Sequence, residues 1–132
     1  MSPTFDAIGL VVADMPTTLA FYRDLGLPIP ATMDQAPHAE VELTGGMRLM
    51  FDSHETIRSF EPDFVPPTGD GRIGLAFRCA DPAEVDRSFA ELIKAGHRGH
   101  REPWDAPWGQ RYATVYDPDG NTVDLYAPLN PA

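Results

Sequence analysis

The chain contains little of what several classes of protein require. Its one cysteine, Cys79, excludes an intrachain disulfide and a cysteine-based zinc site. No apolar run approaches the ~20 residues needed to cross a bilayer, and residues 1–6 lack the regions of a signal peptide. Ten Lys and Arg against twenty Asp and Glu leave a net charge of −10, which disfavours phosphate backbones and anionic lipid. We therefore expect a cytoplasmic protein with no nucleic-acid and no membrane partner.

What the chain does contain is enough apolar material for one folded domain. Of its 132 residues, 42% are hydrophobic and 10% are aromatic, which is typical of a globular chain and not of a disordered one. Fourteen prolines and eleven glycines indicate short elements joined by turns.

The first half is predicted to form a strand, a helix and two further strands. Residues 5–13 are rich in β-branched and apolar side chains, which favours a strand. Asp14 is typical of a helix N-cap, and Gly26 of the end of that helix. Between His38 and Phe51, polar and apolar residues alternate along two strands that meet at a Gly-Gly turn. Residues 53–70 show no periodicity, which predicts a linker or a functional loop.

The second half repeats this pattern. Its predicted elements are a strand, a helix, a loop with two tryptophans and two more strands, over residues 73–79, 81–96, 97–110, 111–116 and 121–126. Ile8-Gly9-Leu10 recurs as Ile73-Gly74-Leu75, and the helix cap Asp14 recurs as Asp81. The sequence therefore predicts a duplicated βαβββ unit of the α+β class. It forms a single domain over 1–132, with module one at about 4–60 and module two at about 71–128.

The turn Asp117-Pro118-Asp119-Gly120-Asn121, placed before the last strand of a duplicated unit, resembles the vicinal oxygen chelate superfamily. That superfamily contains glyoxalase I, extradiol dioxygenases and bleomycin-binding proteins. Residues 36–38, 55–60 and 108–113 are similar to its mitomycin-binding resistance proteins. The resemblance implies two tandem βαβββ modules that form a curled mixed sheet around a concave ligand cleft, with the helices outside. It also implies a homodimer.

Alternation assigns the strand residues to two faces. One face is predicted to lie under the helices and carries Ile8, Leu10, Val12, Ile73, Leu75, Phe77 and Cys79. The other face mixes small, polar and aromatic side chains, as a ligand cleft requires. The candidate ligand-binding residues are His38, Arg48, Met50, Phe60, Trp104, Trp108, Tyr112, Thr114, Asp124 and Tyr126. Trp108 is expected to stack on a flat ligand, because prolines stiffen its loop.

The metal enzymes of the superfamily place His, Gln or Glu on four strands of the concave face. The resemblance puts these positions in Ala7–Gly9, in Arg72–Gly74, at Met50 and at Asp124. Only Asp124 could bind a hard divalent ion, and such sites need several convergent ligands. We therefore expect no catalytic residue, no metal and no cofactor.

These residues favour a protein that sequesters a planar, drug-like natural product without changing it. The resemblance implies an antibiotic of the mitomycin or bleomycin type, and hence antibiotic resistance by mass action. One alternative is a metal-dependent glyoxalase-like or dioxygenase-like enzyme with a non-standard site. Another is an accessory protein that carries a biosynthetic intermediate.

Overall fold

The computed structural model describes residues 4–69 and 73–130. The chain divides into two compact units, Met1–Thr68 and Gly69–Ala132. The first unit contains, in chain order, β1 (Ala7–Val12), α1 (Met15–Asp24), a 3-10 helix (Ala31–Gln35), β2 (His38–Glu42), β3 (Arg48–Ser53) and α2 (His54–Arg58). The second contains β4 (Leu75–Arg78), α3 (Pro82–Lys94), β5 (Arg98–Ala106), β6 (Gln110–Tyr116) and β7 (Thr122–Pro128).

Each unit holds one mixed sheet, and this confirms the α+β class. The strand order is β1-β3-β2 in the first unit and β4-β7-β6-β5 in the second. In both sheets the first strand runs parallel to the last strand of its unit, which pairs in turn with the strand before it in antiparallel fashion. The strands thus fall into two sheets where one curled sheet was predicted. The concave cleft stays a prediction.

The strand, the helix and the two further strands predicted for the first half are all present, but residues 4–69 contain no fourth strand, so the βαβββ order is incomplete there. The second unit does have that order. In the first unit a 3-10 helix, Ala31–Gln35, follows α1, and β2 comes next. Pro28, Pro30 and Pro37 surround this helix. Proline has no N–H to donate to a strand ladder, so these three prolines disfavour a fourth strand here.

Two segments predicted as loops contain regular structure. Within 53–70, Ser53 caps α2, and its Oγ accepts a hydrogen bond of 3.1 Å from the backbone N–H of Thr56. Within 97–110, residues Arg98–Ala106 form β5, which pairs with β6. Two register shifts interrupt this pairing, one between Gly99 and Arg101 and one between Arg101 and Trp104. Such bulges break the period of two that reveals a strand.

The helices cover one face of each sheet, as predicted. Tyr22 of α1 packs against Phe51 of β3, with 5.4 Å between the ring centroids. Val85 and Leu92 of α3 are fully buried, as are alternate residues of β6 and β7. Cys79 is buried, as predicted, and burial is the main cause that raises the pKa of its thiol. Ile73, which was assigned to the covered face, is instead 69% exposed because it precedes β4.

The longest helix described is α3, with 13 residues. Over residues 4–69 and 73–130, no helix has both the length and the apolar character to span a bilayer.

Candidate functional site

The second sheet presents a polar face opposite α3. Along each strand, the residues of this face alternate with the residues that pack against α3. Tyr112 lies opposite Tyr126, Thr114 lies opposite Asp124, and Trp104 lies opposite Tyr112 on the other side. Paired residues of adjacent strands share a face. The register therefore brings together Trp104, Tyr112, Thr114, Asp124 and Tyr126, five of the ten predicted residues.

Trp108 is held at the edge of this face by a three-residue turn between β5 and β6. Ala106 and Gln110 are the last paired residues, and the N–H of Gly109 donates to the carbonyl of Ala106 at 3.0 Å. Pro107 presets its own φ, and Gly109 takes a φ of 91°, which favours glycine. This is the usual geometry of a three-residue hairpin loop. The turn, and not a long proline-rich loop, positions Trp108.

Three aromatic side chains, which we call the aromatic row, are Trp104, Trp108 and Tyr112. Trp108 meets Trp104 edge-on, with 5.6 Å between centroids and 90° between planes. It meets Tyr112 at 5.3 Å and 84°. Its indole N–H donates to Oε1 of Gln110 at 2.9 Å, yet the side chain stays 57% exposed. Trp108 is thus oriented by three neighbours and open to solvent.

Trp104, in contrast, is half-buried and covered. The guanidinium carbon of Arg101 lies 3.8 Å from the centre of its ring. Its indole N–H is buried and meets no acceptor among the residues that the structure describes. Leaving a buried donor unsatisfied costs about 1–3 kcal/mol.

Asp124 anchors the polar groups beside the aromatic row. Its Oδ2 accepts a hydrogen bond of 2.6 Å from the hydroxyl of Tyr112, and its Oδ1 accepts one of 2.8 Å from Thr114. Burial, followed by the bond to Asp124, raises the pKa of Tyr112 to about 12. The phenol therefore stays neutral at physiological pH and directs its proton to the carboxylate.

On the first sheet, charged side chains form a connected chain along one face. Arg48 donates to Asp6 at 2.5 Å and to both oxygens of Glu40 at 3.1 Å. His38 bonds to Glu40 through Nε2 at 3.0 Å and to Asp52 through Nδ1 at 2.6 Å. The bond to Glu40, and then the bond to Asp52, raise the pKa of His38. His38, and then Arg48, lower the pKa of Glu40.

The structure groups the predicted residues within each unit. His38, Arg48 and Met50 share the charged face of the first sheet, where Met50 lies opposite Glu40. Phe60 follows α2 and is 67% exposed. Sequence reasoning missed Arg101 and Gln110 as contacts of the aromatic row. Arg101 lies only three residues before Trp104, which suggests a contact between them. The bulge between these residues prevents a simple alternation from predicting which face Arg101 occupies.

The residues at the expected metal positions do not fit a divalent ion. The side chains of Ala7–Gly9, Met50, Ile73 and Gly74 offer no oxygen or nitrogen ligand, and Arg72 lies outside the described residues. Asp124 does offer one, but one carboxylate without convergent neighbours does not make a metal site. Within 4–69 and 73–130, no three His, Cys, Asp or Glu side chains group as a metal site would require.

An open groove of about 730 Å³ lies in the first unit, between the start of α1, the 3-10 helix and α2. Its lining includes the carboxylates Asp14, Asp34 and Glu55. None of the ten predicted ligand residues lines it, and Asp34 is already paired with Arg23 at 2.6 Å.

A family model described as the Glyoxalase/Bleomycin resistance protein/Dioxygenase superfamily matches residues 4–125. No curated protein matches the chain. Among solved structures, a glyoxalase/bleomycin resistance protein/dioxygenase from Nocardioides is 23% identical, with a TM-score of 0.78, covering 100% of this chain and 87% of that one.

A family enzyme from Burkholderia phytofirmans PsJN is 19% identical, with a TM-score of 0.79 and coverage of 94% and 98%. A lactoylglutathione lyase from Agrobacterium tumefaciens is 22% identical, with a TM-score of 0.66 and coverage of 96% and 94%. Likeness at this level of identity concerns the fold alone.

Proposed function

Because the chain belongs to the Glyoxalase/Bleomycin resistance protein/Dioxygenase superfamily, whose description includes both enzymes and a resistance protein, we propose that it is one of the binding members. It holds a planar, partly polar natural product on the polar face of the second sheet and does not change it chemically. The observation that carries this proposal is Trp108, 57% exposed in a preset turn.

A flat ligand gains most from an aromatic surface that is already in position. The turn residues, Gln110 and the two neighbouring rings fix the Trp108 indole before any ligand arrives, so little ordering cost remains on binding. Stacking is worth roughly 0.5–1.5 kcal/mol per aromatic pair beyond area burial. Tyr126, opposite Tyr112, adds a second phenol to the same face.

The polar set supports binding more than catalysis. Asp124 is held as a hydrogen-bond acceptor by Tyr112 and Thr114. The carboxylate is one ligand at most, and a hard divalent ion needs several that converge. The donor set at the expected metal positions also disfavours the alternative, a metal-dependent glyoxalase-like or dioxygenase-like enzyme.

The resemblance to mitomycin- and bleomycin-binding proteins makes antibiotic resistance by sequestration the biological role that we favour, since bound drug cannot reach its target. An accessory carrier of a biosynthetic intermediate would use the same site. The proposal includes a homodimer.

The test is a titration of intrinsic tryptophan fluorescence against a panel of planar natural products, with elemental analysis of the same sample. We expect at least one planar compound to quench the fluorescence saturably and to be recovered from the protein chemically unchanged. We also expect the sample to contain no stoichiometric divalent metal. About one Fe, Zn, Ni or Mn per chain, together with turnover that a chelator abolishes, would establish the enzyme instead.

A further inference from the structure

The arginines of the second unit divide into paired and unpaired members. Arg111 binds Asp86 at 2.9 Å and Asp105 at 3.0 Å. Arg98 and Arg101, in contrast, form no ion pair with any residue in 4–69 or 73–130. Each lies over an aromatic ring instead: Arg98 is 4.1 Å from the centre of Tyr116, and Arg101 is 3.8 Å from that of Trp104. In a chain with twice as many acidic as basic residues, unpaired arginines on one sheet face need an explanation.

The polar face carries more arginines than carboxylates, whereas the chain as a whole is acidic. By register, Arg78 lies opposite Tyr126, Arg98 opposite Tyr116 and Arg101 opposite Thr114. The acidic residue of the same register is Asp124, and Tyr112 and Thr114 already share its charge. The local field on this face therefore favours an anion, although the net charge of the chain is −10.

A stacked guanidinium is well suited to bind such an anion. The guanidinium carbon of Arg101 lies over the ring of Trp104. The planar fork of N–H groups on such an arginine can form two parallel hydrogen bonds to a carboxylate or phosphate. Trp104 contacts both this group and Trp108, the exposed ring on which a ligand would stack. A cation and a flat apolar surface thus lie beside the same indole.

We infer that the ligand of this face is a planar aromatic compound that carries an oxyanion, with its ring on Trp108 and its carboxylate or phosphate on Arg101. The inference rests on the proposed function and adds the charge of the ligand.

The test uses calorimetry with three matched probes, naphthoate, naphthyl phosphate and the neutral naphthamide. Wild-type protein should bind both anions about tenfold more tightly than the amide, as expected for charge-assisted hydrogen bonds at a partly exposed site. Preference for one anion over the other distinguishes a carboxylate ligand from a phosphate ligand. Added salt should weaken the binding of the anions and leave that of the amide unchanged.

Three variants identify the group responsible. Arg101→Gln should bring the affinity ratio of anion to amide close to one, and Arg101→Lys should keep part of it, since the charge remains without the planar fork. The matched control, Arg87→Gln, removes the same charge from an exposed position on α3, beyond the opposite face of the sheet, and should keep the ratio. Thermal melts of all variants verify folding.

The outcomes separate this inference from the function on which it rests. Equal affinity for acid and amide in the wild type, or a preference that survives Arg101→Gln, overturns the anionic ligand. In that case, binding that depends on Trp108 still supports the proposed function. Probe and panel compounds that bind equally well to Trp108→Ala overturn both.

Discussion

Trp104 and Trp108 differ in how much of the fold depends on them. Both belong to the aromatic row, but Trp104 is half-buried under Arg101 and Trp108 is largely exposed. Trp108→Ala should therefore weaken ligand binding by roughly 1–3 kcal/mol, from lost stacking and burial together. Its melting temperature should change little. Calorimetric affinity and thermal unfolding of this variant, measured side by side, test the expectation.

A core role for Trp108 would instead cost roughly 3–5 kcal/mol of stability, as for a buried tryptophan. Trp104→Ala is the comparison, because it removes the same side chain from a covered position and should lower the melting temperature more. A destabilised Trp108→Ala protein that still binds at wild-type affinity would mean that packing had been mistaken for recognition.

The raised pKa of His38 has a defined effect on stability. Its folded-state pKa lies above the ordinary value of 6.5, so its bonds to Glu40 and Asp52 stabilise the fold below that pH. This contribution is lost as the pH rises through the folded pKa. We expect His38→Gln to be less stable than wild type at about pH 6 and equal to it at about pH 9.

Nuclear magnetic resonance titration of the imidazole measures this pKa directly. Glu40→Gln removes the largest cause of the shift, so the pKa of His38 should fall in that variant. A pKa that stays the same in Glu40→Gln would show that the two side chains do not interact in solution.

Tyr112 predicts a second window, at alkaline pH. Its folded-state pKa of about 12 exceeds the ordinary value of 10, so the folded protein retains a proton that the unfolded chain releases. The resulting stabilisation is complete below pH 10 and disappears as the pH rises through 12. Thermal melts across this range should decline more steeply for wild type than for Tyr112→Phe, which has no phenol to ionise.

At the scale of elements, the turn that carries Trp108 depends on one backbone conformation. Gly109 has a φ of 91°, and Gly120, in the turn between β6 and β7, has a φ of 87°. A left-handed conformation costs a non-glycine residue roughly 1–2 kcal/mol. Gly109→Ala and Gly120→Ala should therefore destabilise the fold by similar amounts, but only Gly109→Ala should also weaken ligand binding, because it moves Trp108. Equal loss of binding in the two variants would argue against a preset turn.

The elements that were predicted correctly have strong local signals. Asp81 accepts a hydrogen bond of 2.8 Å from the N–H of Glu84 at the start of α3, and a left-handed Gly96 follows the helix. Both are set by residues within one helical turn, which is why the sequence reveals them. The strand β5 escaped prediction because Pro103 and two bulges interrupt its alternation, and only pairing with β6 makes it a strand.

The same difference holds for the site. Tyr112, Thr114, Asp124 and Tyr126 occupy alternate positions of regular strands, so their common face followed from a period of two. The stacking of Arg101 on Trp104 depends on where a bulge shifts the register, and no pattern in the sequence specifies that.

For the whole molecule, we expect a homodimer. The segment after α2 leaves Phe60 and Val65 at 67% and 78% exposure, whereas Phe64 is half-buried against His54 and Arg58. Exposed apolar side chains in one segment favour contact with another surface. Light scattering across micromolar concentrations should give twice the 14.5 kDa of one chain. A monomer mass throughout would contradict this, and Phe60→Ser should weaken the association if that segment forms it.

The three-residue turn also bears on how such a protein can evolve. Pro107 and Gly109 determine the path of the backbone, and the residue between them, Trp108, is 57% exposed and expected to contribute little to folding. A mutation at position 108 can therefore alter which compounds are bound while it changes the free energy of unfolding little. Loss of stability is what usually limits adaptive change. A library randomised at this single codon should yield mostly folded variants with different ligand ranges. Divergence among related chains could thus begin at a hairpin tip, before any strand of the scaffold changes.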